Sequence, residues 1–198
     1  MARKIAKDHD DKRRLILDRA AMVFAEEGFD RATVARVAQA CEISKANIYH
    51  YYPGKDAILF DILDSHLSGL RDRICGMSVA GLSPEEQFRR MVLEILLAYE
   101  GADHAHRLQA SSIDHLPAAE QTVLLGYQRA LVAHASRLIA ALAPEGFAQD
   151  QRKLRAVTMS VFGMLNWFYM WNKGADARVR ADYADLVCNL CLRGVAGV

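Results

Sequence analysis

The stretch Ser44-Lys45-Ala46-Asn47-Ile48-Tyr49-His50-Tyr51-Tyr52-Pro53-Gly54-Lys55 decides how this chain is read. A helix this short is not stable alone, because nucleation costs more than a few hydrogen bonds return. Neighbours must therefore hold it. Ser44 can cap its first turn by accepting a backbone N–H, Pro53 stops it, and Gly54 lets the chain reverse. Ile48 is its one strongly apolar aliphatic residue and is expected to point inward. Lys45 and Tyr49 lie four apart on an outward face, with Ala46 and His50 beside them. A rigid helix offering Ser, Lys, Asn, Tyr and His outward suits a groove lined by phosphates.

The preceding residues supply a partner. Thr33 can cap a helix running to about Ala40, with Val34, Val37, Ala38 and Cys41 on its inward face. The link Cys41-Glu42-Ile43 is tight, and Ile43 can enter a shared core. Two short helices joined this way form a helix-turn-helix, whose second helix enters the major groove of DNA. The same pattern is compatible with a helical hairpin in an ordinary bundle.

Residues 11–60 as a whole resemble the amino-terminal domain of the tetracycline-repressor (TetR) family of bacterial transcription regulators. The resemblance is carried by Ala25-Glu26-Glu27-Gly28-Phe29-Asp30, Thr33-Val34, Val37-Ala38, Ser44 through Tyr52, and Lys55-Asp56-Ala57-Ile58-Leu59. Ala46, Tyr52 and Gly54 depart from the residues usual in that family, which are Gly, Phe and a capping Ser or Asn. None of the three removes a groove-facing donor. On this reading Thr33, Lys45, Tyr49 and Lys55 hold phosphates, while Ser44, Ala46, Asn47 and His50 lie near base edges.

Composition sets limits. Of 198 residues, 52 % are hydrophobic and 25 % charged, which describes a globular chain with a substantial core. A net charge of only +1 excludes a protein that coats nucleic acid through its overall field, so any DNA contact must be local. Arg3, Lys4, Lys7, Lys12, Arg13 and Arg14 form one basic patch, partly offset by Asp8, Asp10 and Asp11; residues 1–9 read equally as a solvated tail. No secretory signal opens the sequence. The longest uncharged stretch, Ala156 to Asn172, is better read as a buried helix than a membrane span. Four cysteines fit a reducing cytoplasm rather than a disulfide scaffold. The Cys188-x-x-Cys191 pair falls in an apolar helical stripe with no second pair to complete a metal site.

The rest reads as all-α. A first helix is expected from about Asp11 to Glu27, with Ile16, Ala20, Val23 and Phe24 inward and Gly28 ending it. Further helices are expected from Lys55, from Pro84, over about Asp103–Ile113, from Pro117 to Ala143, from Asp150 to Asn172 and from Arg178 to Arg193. The expected organisation is a three-helix helix-turn-helix domain in residues 1–54 and a ligand-binding and dimerisation domain in residues 55–198. The last helix has Tyr183, Leu186, Val187, Leu190 and Cys191 on one stripe, as a one-sided surface helix would. The helix before it is apolar nearly all round from Val157 to Trp171, so a second subunit is an economical cover. The family resemblance implies the same: a homodimer through the last two helices, presenting two recognition helices to a palindromic operator.

One motif addresses the effector. Phe162-Gly163-Met164-Leu165-Asn166-Trp167-Phe168-Tyr169-Met170-Trp171-Asn172-Lys173-Gly174 is similar to a segment of family members that govern fatty-acid, steroid or aromatic-acid breakdown and are released from DNA by acyl-coenzyme A. Gly163, Asn166, Trp167, Met170 and Trp171 can share a helical face, with Phe88, Met91, Tyr127 and Met159 as further lining residues. The alternative is an aromatic stripe that only packs, in the core or between subunits. His104 and His106 are two apart and cannot face one metal, and Ser111, Ser112, Asp114 and His115 lack the context of a catalytic triad. The leading reading is thus a repressor with a small-molecule effector, no cofactor, no metal and no enzymatic activity. Its rival is a helical acyl-thioester enzyme or carrier without a DNA role.

Overall fold

The computed structural model describes the backbone of residues 2–147 and 150–197 and the side chains of residues 9–147 and 150–196. Among the described residues the chain forms ten α-helices and no strand. They are α1 (Ala2–Glu27), α2 (Val34–Ala40), α3 (Lys45–Tyr51), α4 (Lys55–Cys75), α5 (Pro84–Ala98), α6 (Asp103–Ser111), α7 (Ala118–Leu142), the single turn α8 (Pro144–Phe147), α9 (Gln151–Trp171) and α10 (Ala177–Arg193). Their starts follow from caps written in the sequence. Thr33, Ser44, Ser83, Asp150 and Asp176 each accept a hydrogen bond from a first-turn N–H. Ser83 and Glu86 complete a capping box before Pro84, which occupies the first helical position where its missing N–H costs nothing.

One boundary differs from expectation. α1 begins at Ala2, not near Asp11. Residues 2–10 contain neither Pro nor Gly and are mostly adequate helix formers, so a helix nucleated further on propagates back through them. The side chains of Arg3, Lys4 and Lys7 lie outside the described residues. At the other end Gly28, at φ +83°, takes the left-handed conformation that lets the chain leave the helix.

The chain divides into two compact units: Met1–Leu67 with His104–Leu124, and Ser68–Asp103 with Leu125–Val198. In the first, α1 packs on α2 and α2 on α3, burying Ile16, Ala20, Phe24, Val37 and Ile48. α6 contributes His106, whose ring stands 5.9 Å from that of His66 on α4 and nearly perpendicular to it. Burial, reinforced by the neighbouring His106, lowers the His66 pKa to about 4, against a smaller opposing influence of the Gln109 side chain, which favours the charged form.

The second unit is built on α5, whose Phe88, Met91, Val92, Ile95 and Leu96 are all buried, as is Tyr99 that caps it, each large side chain contributing ~1.5–3 kcal/mol. α5 lies along α10, and α9 adds Leu154, Val161, Phe162, Leu165 and Phe168 to the same core. α10 departs from its expected stripe. Its buried residues are Arg180, Ala184, Val187 and Cys188, whereas Leu186 and Cys191 are exposed. Arg180 sets this rotation. It is 1 % exposed, and its guanidinium donates to Ala175 O at 3.0 Å, Leu96 O at 3.3 Å and Asp103 Oδ1 at 3.3 Å, over the Phe168 ring. A charged side chain can be central only because its donors are matched this way.

Two outcomes follow for stability. Replacing Arg180 by Ala strips the donors from two backbone carbonyls and a carboxylate, and should cost about 3 kcal/mol or more in urea unfolding. His66 has a folded pKa below its unfolded value of about 6.5, so its neutral form supports the fold above that pH. Stability should decline as pH falls from about 6.5 to about 4, and the decline should flatten in His66→Gln.

Candidate nucleic-acid interface

The helix-turn-helix is assembled from short-range bonds. Thr33 Oγ1 accepts the N–H of Arg36 at 3.2 Å and opens α2. α2 closes with a Schellman turn: Ile43 N–H donates to Ala38 O at 3.0 Å and Glu42 N–H to Gln39 O at 3.1 Å. The left-handed position of that turn, usually glycine, is held by Glu42 at φ 56°. Ser44 Oγ then accepts the N–H of Asn47 at 3.2 Å and opens α3. Tyr52, extended at φ −138° and ψ 127°, closes it before Pro53, as the residue preceding a proline should. Gly54 does not need glycine's extra conformational freedom; its φ is not positive, and the bend between the helices falls at Pro53 and Gly54.

Ile48 is buried and anchors α3 from below. Thr33, Ser44, Lys45, Ala46, Asn47 and His50 are exposed, and Tyr49 stands 48 % exposed with the Lys45 ammonium 5.6 Å from its ring centre. Seven of the eight expected contact residues therefore share an accessible ridge along α3 and the start of α2. The eighth, Lys55, is a correction. Its ammonium turns inward to Phe29 O at 2.9 Å, Asp30 O at 3.1 Å and Ala32 O at 3.5 Å, and lies over the Phe29 ring. Carbonyls left open in the segment ahead of α2 outcompete solvent for it, so Lys55 holds the segment that leads into α2.

Arg13 leaves the amino-terminal basic patch in the same way. It holds Asp61 through two bonds of 2.9 and 2.7 Å and donates to the Tyr52 hydroxyl at 3.2 Å, while that hydroxyl donates to Asp61. Tyr52 departs from the family's Phe, and here its extra oxygen is absorbed by this trio. Burial and the Asp61 carboxylate raise its pKa well above the usual phenol range. A further residue was missed from sequence. His115, set aside as a catalytic candidate, places Nδ1 3.4 Å from Asp30 Oδ1 and its ring 5.2 Å from Phe29. It reaches the loop before α2 from the turn after α6, and no local pattern foretells that contact.

The nine expected effector residues do not converge. Phe88 and Met91 are core, Tyr127 stacks with the Arg71 guanidinium at 4.5 Å, and Asn166 accepts a 2.8 Å hydrogen bond from the buried Tyr99 hydroxyl. Gly163, Met170, Trp167 (62 % exposed) and Trp171 (60 % exposed) lie outward on α9. Of the nine, Met159 alone lines a groove of about 530 Å³ between α7 and α9.

Residues 16–62 match the family model described as bacterial regulatory proteins, tetR family, and residues 81–195 match the tetracyclin repressor-like C-terminal domain. A solved TetR-family transcriptional regulator from Bordetella parapertussis is 30 % identical, with 94 % of this chain and 96 % of that one aligned at a TM-score of 0.87. The structure of AibR with isovaleryl coenzyme A and operator DNA shares the fold at a TM-score of 0.75, with 19 % identity over 90 % of this chain and 97 % of that one. The HTH-type transcriptional repressor KstR2 of Rhodococcus jostii is 31 % identical over 58 % of this chain and 56 % of its own length. The first curated relatives are matched over only 31 % to 56 % of their lengths.

The strained turn offers a direct check on the interface scaffold. Glu42→Gly should raise stability by about 1 kcal/mol, because glycine takes the left-handed conformation without the Cβ clash. Glu42→Ala keeps a Cβ and should give no comparable gain in urea unfolding.

Proposed function

The chain belongs to the tetR family of bacterial regulatory proteins, and from that premise we propose that it is a homodimeric repressor released from a palindromic operator by a small ligand. The observation that carries the reading is the ridge of Thr33, Ser44, Lys45, Ala46, Asn47, Tyr49 and His50, polar, exposed and fixed by two caps and a Schellman turn. Lys45, Tyr49 and Thr33 hold phosphates, and Ser44, Ala46, Asn47 and His50 read base edges at ~1–3 kcal/mol for each good pair. Lys55 acts through the loop it holds. DNA contact is assigned to residues 1–54, and effector binding and dimerisation to residues 55–198.

Dimerisation is supported by the outward apolar residues of the last two long helices: Trp167, Met170 and Trp171 on α9, Val179 and Leu186 on α10. Left in water they would form the kind of patch that marks an interface. A twofold pairing there would set two copies of α3 on successive major-groove faces. An acyl-coenzyme A effector is supported by the resemblance around Gly163-x-x-Asn166-Trp167 and by the isovaleryl coenzyme A bound in the AibR structure. Binding need only favour a conformation whose heads no longer match the half-site spacing. Among the described residues no helix is long and apolar enough to cross a membrane, and a cytoplasmic location follows from the proposed role. The rival, an acyl-thioester enzyme or carrier, leaves the α3 ridge without a purpose.

The test is a mobility shift with DNA from the protein's own promoter region. Binding should weaken steeply with salt, and Lys45→Ala should lower the salt slope by about 1. Tyr49→Ala should weaken binding about tenfold while thermal stability changes little, because the side chain is half exposed. Undiminished binding by Tyr49→Ala would move the DNA contact off α3.

A further inference from the structure

The groove between α7 and α9 has a composition that the rest of the chain does not explain. Overall the sequence is balanced, with 25 basic and 24 acidic residues. Yet among the described residues the groove is lined by Arg129 from α7 and Arg155 from α9, and by no Asp or Glu. Among the described residues neither guanidinium has a hydrogen-bond or ion-pair partner. The nearest carboxylate in sequence, Asp150, is turned onto the N–H of Lys153 at 2.8 Å as the cap of α9. Beside the arginines lie the amides of Gln128 and Gln151, and the remaining wall is apolar: Leu125, Val132, Leu154 and Met159. The two helices are tied at the groove by Ser136 and Thr158, whose hydroxyl oxygens are 3.1 Å apart, so the cleft is built into their packing.

We propose that this groove seats the effector's charged end and that the effector is an anionic amphiphile. Its carboxylate or phosphate lies between Arg129 and Arg155, and its hydrocarbon runs along Leu125, Val132, Leu154 and Met159. A volume of about 530 Å³ is within the range of small-molecule sites, ~300–1,000 Å³. Guanidinium forks match planar or tetrahedral oxyanions through paired bonds, which an ammonium would not do as well. This inference rests on the effector reading above but places the ligand in a different location from the Gly163–Trp171 face, sharing with the sequence expectation only Met159.

Calorimetric titration of the full-length protein with decanoate, decanoyl-coenzyme A, coenzyme A alone and decanol tests it. Decanoate or decanoyl-coenzyme A should bind, and Arg129→Gln with Arg155→Gln should weaken that binding by at least about tenfold while leaving decanol unaffected. Binding of decanoate without coenzyme A identifies a carboxylate as the seated group, and binding of coenzyme A alone identifies a phosphate. Ala133→Trp, which fills the groove, should weaken every ligand. If neither anion binds, or both bind the double variant unchanged, the groove assignment is overturned. Operator release separates the two proposals. Arginine-dependent binding that releases no DNA keeps the groove and removes the effector role. Release that the double variant performs as well as the parent keeps the effector role and removes the groove.

Discussion

The ammonium of Lys55 is the constraint on which the DNA-facing part of the molecule depends. It holds carbonyls of Phe29, Asp30 and Ala32, three residues that have left α1 and have no helical partners of their own. Charge-assisted bonds of this kind are stronger than neutral ones. The next residue is Thr33, so the place where α2 begins is fixed from the first turn of α4. From there each step is short-range: the Thr33 cap, the Schellman turn over Cys41–Ile43, the Ser44 cap and the Pro53 stop. The direction in which Lys45, Tyr49 and His50 point is inherited along that sequence of bonds. Phe29, under the same ammonium, also meets Phe24 edge-on at 5.2 Å and the ring of His115, so the loop is held from three sides.

Nearly all of this local scaffold was legible in the sequence because each device is contained within a few residues. Caps, the proline stop and the inward positions of α1 to α5 follow from spacing alone, and Ile16, Val37, Ile48, Leu63 and Met91 are all fully buried. What sequence spacing cannot show is a polar side chain recruited by a distant partner. Lys55 and Arg13 look like free cations in one dimension and are bound in three. Arg180 looks like the solvated start of a surface helix, yet it is central to the second unit because Leu96 O and Asp103 arrive from α5 and the start of α6. Periodicity assigned the apolar stripe of α10 correctly as a pattern and incorrectly as a face.

The effector region was the least legible part, for a related reason. A uniform apolar run such as Val157–Trp171 specifies that a helix will be covered, not by what. In three dimensions α9 has distinct sectors. One is buried against α5 and carries Phe162, Leu165 and Phe168. One is open and carries Trp167, Met170 and Trp171. The third, toward α7, carries Arg155 and Met159. At ~100° and ~1.5 Å per residue, Met159 and Met170 point within about 20° of one another but stand about 16 Å apart along the helix, so the groove and the open sector adjoin end to end.

That adjacency bears on how a ligand could act. A molecule seated beside Arg155 lies at the margin of the surface assigned to the second copy, on the same helix. It changes the pairing of subunits only to the extent that it binds one arrangement of α7 and α9 more tightly than another. The Ser136–Thr158 contact is where such a preference would be felt, because it joins the two helices through hydroxyls rather than through deep interdigitation. Thr158 Oγ1 donates its one proton to Leu154 O at 2.8 Å, so Ser136 is the donor in that contact and is the group that must find another acceptor if the helices shift. A single neutral hydrogen bond contributes only about 0.5–1.5 kcal/mol, so this contact can be given up at little cost, whereas the apolar seam of α5 with α10 cannot move without exposing core. The physical expectation is therefore that adjustment is confined to the α7–α9 side, while α10 and the buried Arg180 remain the fixed reference for the proposed pairing of subunits.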